Sequence, residues 1–154
     1  MKILRINPSE RTWSYEEIGE DDRLRGGRAL IGEVLLREVP ANCDALGESN
    51  KLVIAGGALA GTGVSSAGRL SVGAKSPLTG GVKEANAGGT AGTALARLGV
   101  RGIVMEGAPA RDWTVVIVEA EGVRFVDGSA YAGLGNFELV KRLAADFGEG
   151  YSVI

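Results

Sequence analysis

The sequence predicts an α+β fold: mixed β-sheets with hairpins and a few helices. Three observations point there. Strand-like runs come in pairs at the start of the chain and again near its end, as hairpins. Three helical segments are spread between and after them. Strands and helices do not follow the strict alternation of a doubly wound parallel sheet.

Residues 1–7 and 11–18 read as strands about a turn at Pro8-Ser9-Glu10, and 19–22 as an exposed link. Residues 28–39 read as a helix, because Leu30, Ile31, Val34, Leu35 and Val39 recur at helical spacing and Pro40 stops it. Residues 51–55 form a short buried strand and 56–67 a glycine-rich turn region. Residues 69–74 are a further strand, and 76–81 a loop built around Pro77. Residues 90–98 read as a small-residue helix closed by Gly99. A strand at 102–105 follows, then a hairpin of 113–120 and 123–127 about Glu121-Gly122. Residues 137–147 are an amphipathic helix with Leu139, Val140 and Leu143 inward and Gly148 closing it. Residues 151–154 resemble a strand that has only begun. No short internal repeat is evident.

The chain has 154 residues, which suits one domain able to bury roughly two thirds of its unfolded surface. No apolar run approaches the ~20 residues needed to cross a bilayer, and the first residues turn polar too soon for a signal peptide. The expected setting is cytoplasmic. Histidine is absent, which removes the usual acid/base group at neutral pH and the commonest metal ligand. One cysteine, Cys43, makes neither an internal disulfide nor a thiolate cage.

Glycine is concentrated. Residues 51–105 hold 13 of the 25 glycines, with six basic residues (Lys51, Arg69, Lys75, Lys83, Arg97, Arg101) against the single acid Glu84. That stretch is therefore +5 within a chain of net −2. Close backbone approach to an anion would use such a stretch, and so would a loop-rich region of separately solvated cations.

Two nucleotide motifs fail on inspection. Gly68-Arg69-Leu70-Ser71-Val72-Gly73-Ala74-Lys75-Ser76 resembles a phosphate loop. The inserted Ala74, however, moves the lysine off the helix start where it must meet phosphates. Gly61-Thr62-Gly63-Val64-Ser65-Ser66 has two glycines of a dinucleotide fingerprint, but Ser66 replaces the third and no helix follows. Asn86-Ala87-Gly88-Gly89 leads into the helix at Thr90. The residues alone leave open an anion-holding helix start or a plain capped turn.

Taken together, the segments resemble the N-terminal domain of the aldehyde ferredoxin oxidoreductase family. Asn50-Lys51-Leu52-Val53-Ile54-Ala55-Gly56-Gly57-Ala58-Leu59-Ala60-Gly61-Thr62 is similar to the family's strand and turn, with Gly57-Ala58 where members usually show Gly-Pro. Ser66-Ala67-Gly68-Arg69 falls at a glycine–arginine position. Ala74-Lys75-Ser76-Pro77-Leu78-Thr79-Gly80 and Ala85-Asn86-Ala87-Gly88-Gly89 match two further signatures. The opening hairpin and Gly27-Arg28-Ala29-Leu30 also fit, so the resemblance runs in order along essentially the whole chain.

The resemblance implies a tungsten (or molybdenum) bis-pterin cofactor, with magnesium bridging the pterin phosphates, resting on a base made by this domain. It implies cofactor contacts at Arg69, Asn86, Ala87 and Gly88, with the Asn86 backbone carbonyl as a magnesium ligand. Lys75 lies in a family motif without an implied contact. The family's activity is aldehyde oxidation to the carboxylic acid, with electrons passed to ferredoxin. Its 4Fe–4S cluster is held by four cysteines of later domains, so this chain is expected not to ligate it. Family members continue into a second glycine–arginine segment that completes the base. The domain, residues 1–154, is thus expected to be truncated at its C-terminal end and inactive alone. Expected partners are the cysteine-bearing remainder or a separate subunit, ferredoxin for the whole enzyme, and a further copy in a homo-oligomer; nucleic acid and membrane are not expected. The alternatives are a stand-alone module that binds or delivers the pterin cofactor, and a structural subunit without catalysis.

Overall fold

The computed structural model describes residues 1–109 and 111–154, and of Asp21 the backbone alone. The chain divides into two compact units, Met1–Pro109 and Ala110–Ile154.

The first unit is a six-stranded sheet. Its strands are β1 (Lys2–Asn7), β2 (Thr12–Glu17), β3 (Leu52–Gly56), β4 (Leu70–Lys75), β5 (Val82–Ala87) and β6 (Val100–Met105). Their spatial order is β2-β1-β6-β3-β4-β5. All neighbours are antiparallel except β1 and β6, which run parallel. A parallel pair cannot close through a tight turn, so everything from β2 to α2 forms the crossover between them.

Helix α1 (Arg28–Glu38) covers one face of this sheet. Leu30, Ile31, Val34 and Leu35 form its buried stripe, packed with Ile3, Val53, Ala55 and Val104. Gly73 makes the close approach to β4 possible, because a Cβ there would lie 2.7 Å from Ile31 Cγ2. At its start the Gly27 N–H donates to the Gly56 carbonyl at 2.9 Å. At its end Arg5 of β1 makes a two-pronged bond to Glu38, at 2.9 and 2.7 Å, and also meets Glu16 and Glu106. Lys51 joins this network through Glu106 and Glu38.

Helix α2 (Ala91–Arg97) is short and lies against β3 and β6. Gly92 lets it sit directly on the backbone of residues 68–69, since a Cβ there would come 2.4 Å from the Gly68 carbonyl oxygen. Gly99, at φ +73°, closes the helix as expected.

The second unit consists of a hairpin of β7 (Thr114–Glu119) and β8 (Gly122–Asp127), a 3-10 turn at Ser129–Tyr131, and α3 (Asn136–Phe147). Hairpin, 3-10 turn and helix open the first unit in the same order, with the 3-10 turn there at Glu20–Asp22. The recurrence of elements shows only in three dimensions; the sequence carries no evident repeat.

The expected hairpins, α1, α2, α3 and most strands form close to their predicted bounds. Three expectations need correction. The sequence pattern predicts no element at residues 82–87, yet they form β5, so Asn86 and Ala87 end a strand instead of sitting in a turn. Val82-Lys83-Glu84-Ala85-Asn86-Ala87 is a weak strand former by composition, and its pairing with β4 overrides that preference. On α3, Leu139 and Leu143 are half-buried, but Val140 is 47% exposed. Residues 151–154 form no strand, and among the described residues the unit's sheet holds only β7 and β8. The Tyr151 hydroxyl instead donates to Glu119, which also takes two bonds from Arg124. No helix among the described residues is long and apolar enough to cross a membrane.

Candidate cofactor site

Strands β4 and β5 bring the candidate residues together. Leu70 pairs with Ala87 and Ser71 with Asn86, so Arg69 and Gly88 face each other just beyond the ladder's end. A Cβ built on Gly88 would lie 3.9 Å from Arg69 Nη1. Side chains alternate across a strand. Gly73 faces α1, so residues 69 and 71 belong to that same face, with Glu84, Asn86 and Gly88 opposite them.

Asn86 is fixed on this face. Its Nδ2 donates to Ser71 Oγ at 3.2 Å and to the Glu84 carboxylate. Glu84 also accepts from Arg28, the first residue of α1, at 3.2 and 3.1 Å. The Ser71 hydroxyl, followed by the Arg28 guanidinium and the Asn86 amide, holds the Glu84 carboxyl below the usual carboxylate range. Beyond Ala87 the chain turns through Gly88 and Gly89, the latter at φ +115°, a conformation that favours glycine. A Cβ on Gly68 would come 2.7 Å from Thr93 Oγ1, so the backbone of 68–69, the turn at 88–89 and the first turn of α2 crowd together.

The six cations of the positive stretch divide into two groups. Lys51 belongs to the ion network at the end of α1. Lys75 reaches back past α1, donating to the carbonyls of Ala41 and Cys43, which gives this motif residue a structural place. Arg101 is buried at 7% exposure and donates to the Gly57 carbonyl at 2.8 Å. Arg69, Lys83 and Arg97 are exposed, and none of their side chains has a hydrogen-bond or ion-pair partner among the described residues. Of the six, these three are available to an external anion.

The helix-start reading of 86–89 is weakened, because α2 runs for seven residues and its end dipole is correspondingly small. What this place offers an anion is the Arg69 guanidinium, without a partner among the described residues, and glycine backbone. Sequence reasoning does not single out Arg28, Ser71 or Glu84; reading 82–87 as a strand would have shown Glu84 and Asn86 on one face. A groove of about 540 Å³ lies elsewhere, between the end of α1 and the turn at 80–82. Among the described residues no group of three or more His, Cys, Asp or Glu could hold a metal ion.

A family model described as aldehyde ferredoxin oxidoreductase, N-terminal domain, matches residues 3–154. The chain belongs to the aldehyde ferredoxin oxidoreductase family. Curated relatives agree. The tungsten-containing aldehyde ferredoxin oxidoreductase of Thermococcus kodakarensis is 41% identical over 108 residues, 69% of this chain and 18% of that protein. Its counterpart in Pyrococcus furiosus is 35% identical over 130 residues, 83% of this chain and 21% of that protein. That of Pyrococcus horikoshii is 34% identical over 150 residues, 96% of this chain and 24% of that protein. The chain thus spans about a fifth to a quarter of the length of these relatives. Among solved structures, the active site complex of benzoyl coenzyme A reductase with 1,5-dienoyl-CoA matches 97% of this chain and 23% of that one. The TM-score is 0.90 at 22% identity, a likeness of fold.

Proposed function

We propose that this chain forms part of the base on which the tungsten (or molybdenum) bis-pterin cofactor of an aldehyde:ferredoxin oxidoreductase-type enzyme rests. The observation that carries this reading is the unpartnered Arg69 guanidinium beside Gly88, on the face where Asn86 is fixed. The donor set fits an anionic, flat ligand. Arg69 offers a planar fork suited to phosphate oxygens or pterin heteroatoms. Gly88 and Gly89 expose backbone without a Cβ in the way. Ala87 and Gly88 would line the pterin, and the Asn86 backbone carbonyl would serve as an oxygen ligand to magnesium, a hard cation that takes such ligands. With no histidine and a single cysteine, Cys43, the chain cannot surround the transition metal with thiolate or imidazole ligands of its own.

When bound, the cofactor supplies the two-electron redox chemistry that turns an aldehyde into a carboxylic acid. This chain's own residues bind and orient the cofactor. The 4Fe–4S cluster that passes electrons to ferredoxin belongs, in this reading, to the cysteine-bearing remainder of the enzyme or to a separate subunit. A single thiol cannot hold such a cluster.

The test is to express the chain together with the cysteine-bearing remainder and measure tungsten, molybdenum and magnesium with and without Arg69→Ala. We expect the variant complex to assemble and to lose most of its metal. Full retention of metal by Arg69→Ala would sink the assignment. Stable pterin binding by the chain alone would instead favour a cofactor-delivery module.

A further inference from the structure

Strand β5 lies at the sheet edge, and five of its six residues are exposed. No apolar side chain anchors it: Val82 is 60% exposed, and Ala85 and Ala87 are exposed as well. Its one inward residue is a carboxylate, with the Glu84 side chain at 14% exposure. A carboxylate turned inward is costly unless it is hydrogen-bonded. Glu84 has two donors bonded to it, the Arg28 guanidinium and the Asn86 amide, and the same Asn86 amide also donates to the Ser71 hydroxyl.

We infer that Glu84 is a positioning residue: together with buried Ser71 it locks the Asn86 side chain and clamps the edge strand carrying Asn86, Ala87 and Gly88 onto β4 and the start of α1. This rests on the cofactor reading only for what the strand then presents; the clamp itself is a property of the chain without cofactor. The magnitudes show which bonds matter. Arg28 is 76% exposed, and ion pairs of that kind contribute little in water. Ser71 is 5% exposed, so the bond its hydroxyl accepts from the Asn86 amide lies in a more sheltered place, where a hydrogen bond is stronger. The lock is therefore expected to depend on Ser71 and Asn86 more than on Arg28.

The experiment is NMR on the full chain without cofactor, following the Asn86 side-chain amide and the hydrogen exchange of backbone amides. In the unaltered chain the two Asn86 Nδ2 protons should lie well away from the free-amide position. Glu84→Met should move them toward that position and speed exchange of the protected β5 amides by about tenfold or more, with β3 and β6 unchanged. Glu84→Gln keeps an acceptor and should retain most of the Asn86 displacement. Should Glu84→Met loosen the whole sheet, Ser71→Ala removes a single hydroxyl and should loosen β5 alone. Unaltered Asn86 signals and β5 exchange in Glu84→Met, or in Ser71→Ala, would overturn the inference. Retention of metal by Arg69→Ala would remove the cofactor reading, while the amide signals would still decide the role of Glu84.

Discussion

Arg101 is buried at 7% exposure, donates to the carbonyls of Gly57 and Arg23, and pairs with no carboxylate among the described residues. Burial pushes its guanidinium pKa down, and Nε finds no partner. Removing one member of a buried ion pair usually costs about 3–5 kcal/mol, because the other charge is orphaned. Here no charge is orphaned; the Gly57 and Arg23 carbonyls lose a donor. Arg101→Met should therefore cost less than that, about 1–2 kcal/mol read from urea midpoints, because two carbonyls lose a donor while a buried charge is removed. Glu119 gives a pH prediction. Its Arg124 partner first, and the Tyr151 hydroxyl second, lower its pKa from 4.5 to about 2. A depressed carboxyl pKa means stabilisation present above the unfolded value and lost as pH falls through the folded one. The Tyr151 ring signals should therefore hold steady down to about pH 4.5 and shift toward free values as pH approaches about 2. A shift already complete well above that range would contradict the contact.

Among the elements, α1 and α2 are held by different physics. The C-terminal end of α1 is tied to β1 by the Arg5–Glu38 bond, in which Glu38 stays below the usual carboxylate range chiefly through Arg5. Glu38→Gln should cost about 1–2 kcal/mol by urea unfolding, since a two-pronged charged hydrogen bond is weakened while Arg5 keeps Glu16 and Glu106. Helix α2 has a single buried apolar side chain larger than alanine, Leu95, and depends on close backbone approach at Gly92. A methyl there would meet the Gly68 carbonyl oxygen at 2.4 Å and the Arg69 carbonyl oxygen at 3.2 Å. Gly92→Ala should destabilise by about 1–3 kcal/mol, the usual range for overpacking. It should also weaken metal retention in the assembled enzyme by shifting Arg69. Gly63→Ala, with open space around it, is the control.

For the whole molecule, the functional reading is that of a part. The curated relatives are about four times as long, and this chain offers one cysteine and no histidine. We expect the purified chain to show no aldehyde-dependent dye reduction and no stoichiometric tungsten, molybdenum or iron. Activity should appear only with a cysteine-bearing partner. Turnover with bound metal in a preparation of this chain alone would refute that. The second unit fits the same picture. A two-stranded hairpin with one helix is marginal by itself, and α3 has no fully buried residue, with Phe137 at 95% exposure.

The sequence alone determined what neighbouring residues along the chain can determine. The spacing of Leu30, Ile31, Val34 and Leu35 gave α1 its buried face, the alternating pairs gave the hairpins, and four ordered signatures brought the family into view. The gathering of Arg69 with residues 86–88 was legible only as shared motif membership. Only the tertiary structure decided which cations were spent inside the fold. Lys51, Lys75 and Arg101 look like Arg69 in sequence, and their partners lie up to 78 residues away. Strand β5 was likewise beyond local reading, because its residues form a strand only through the ladder that β4 offers. Periodicity is set by chain neighbours, whereas an edge strand and an ion pair are set by groups that meet only after the chain has folded.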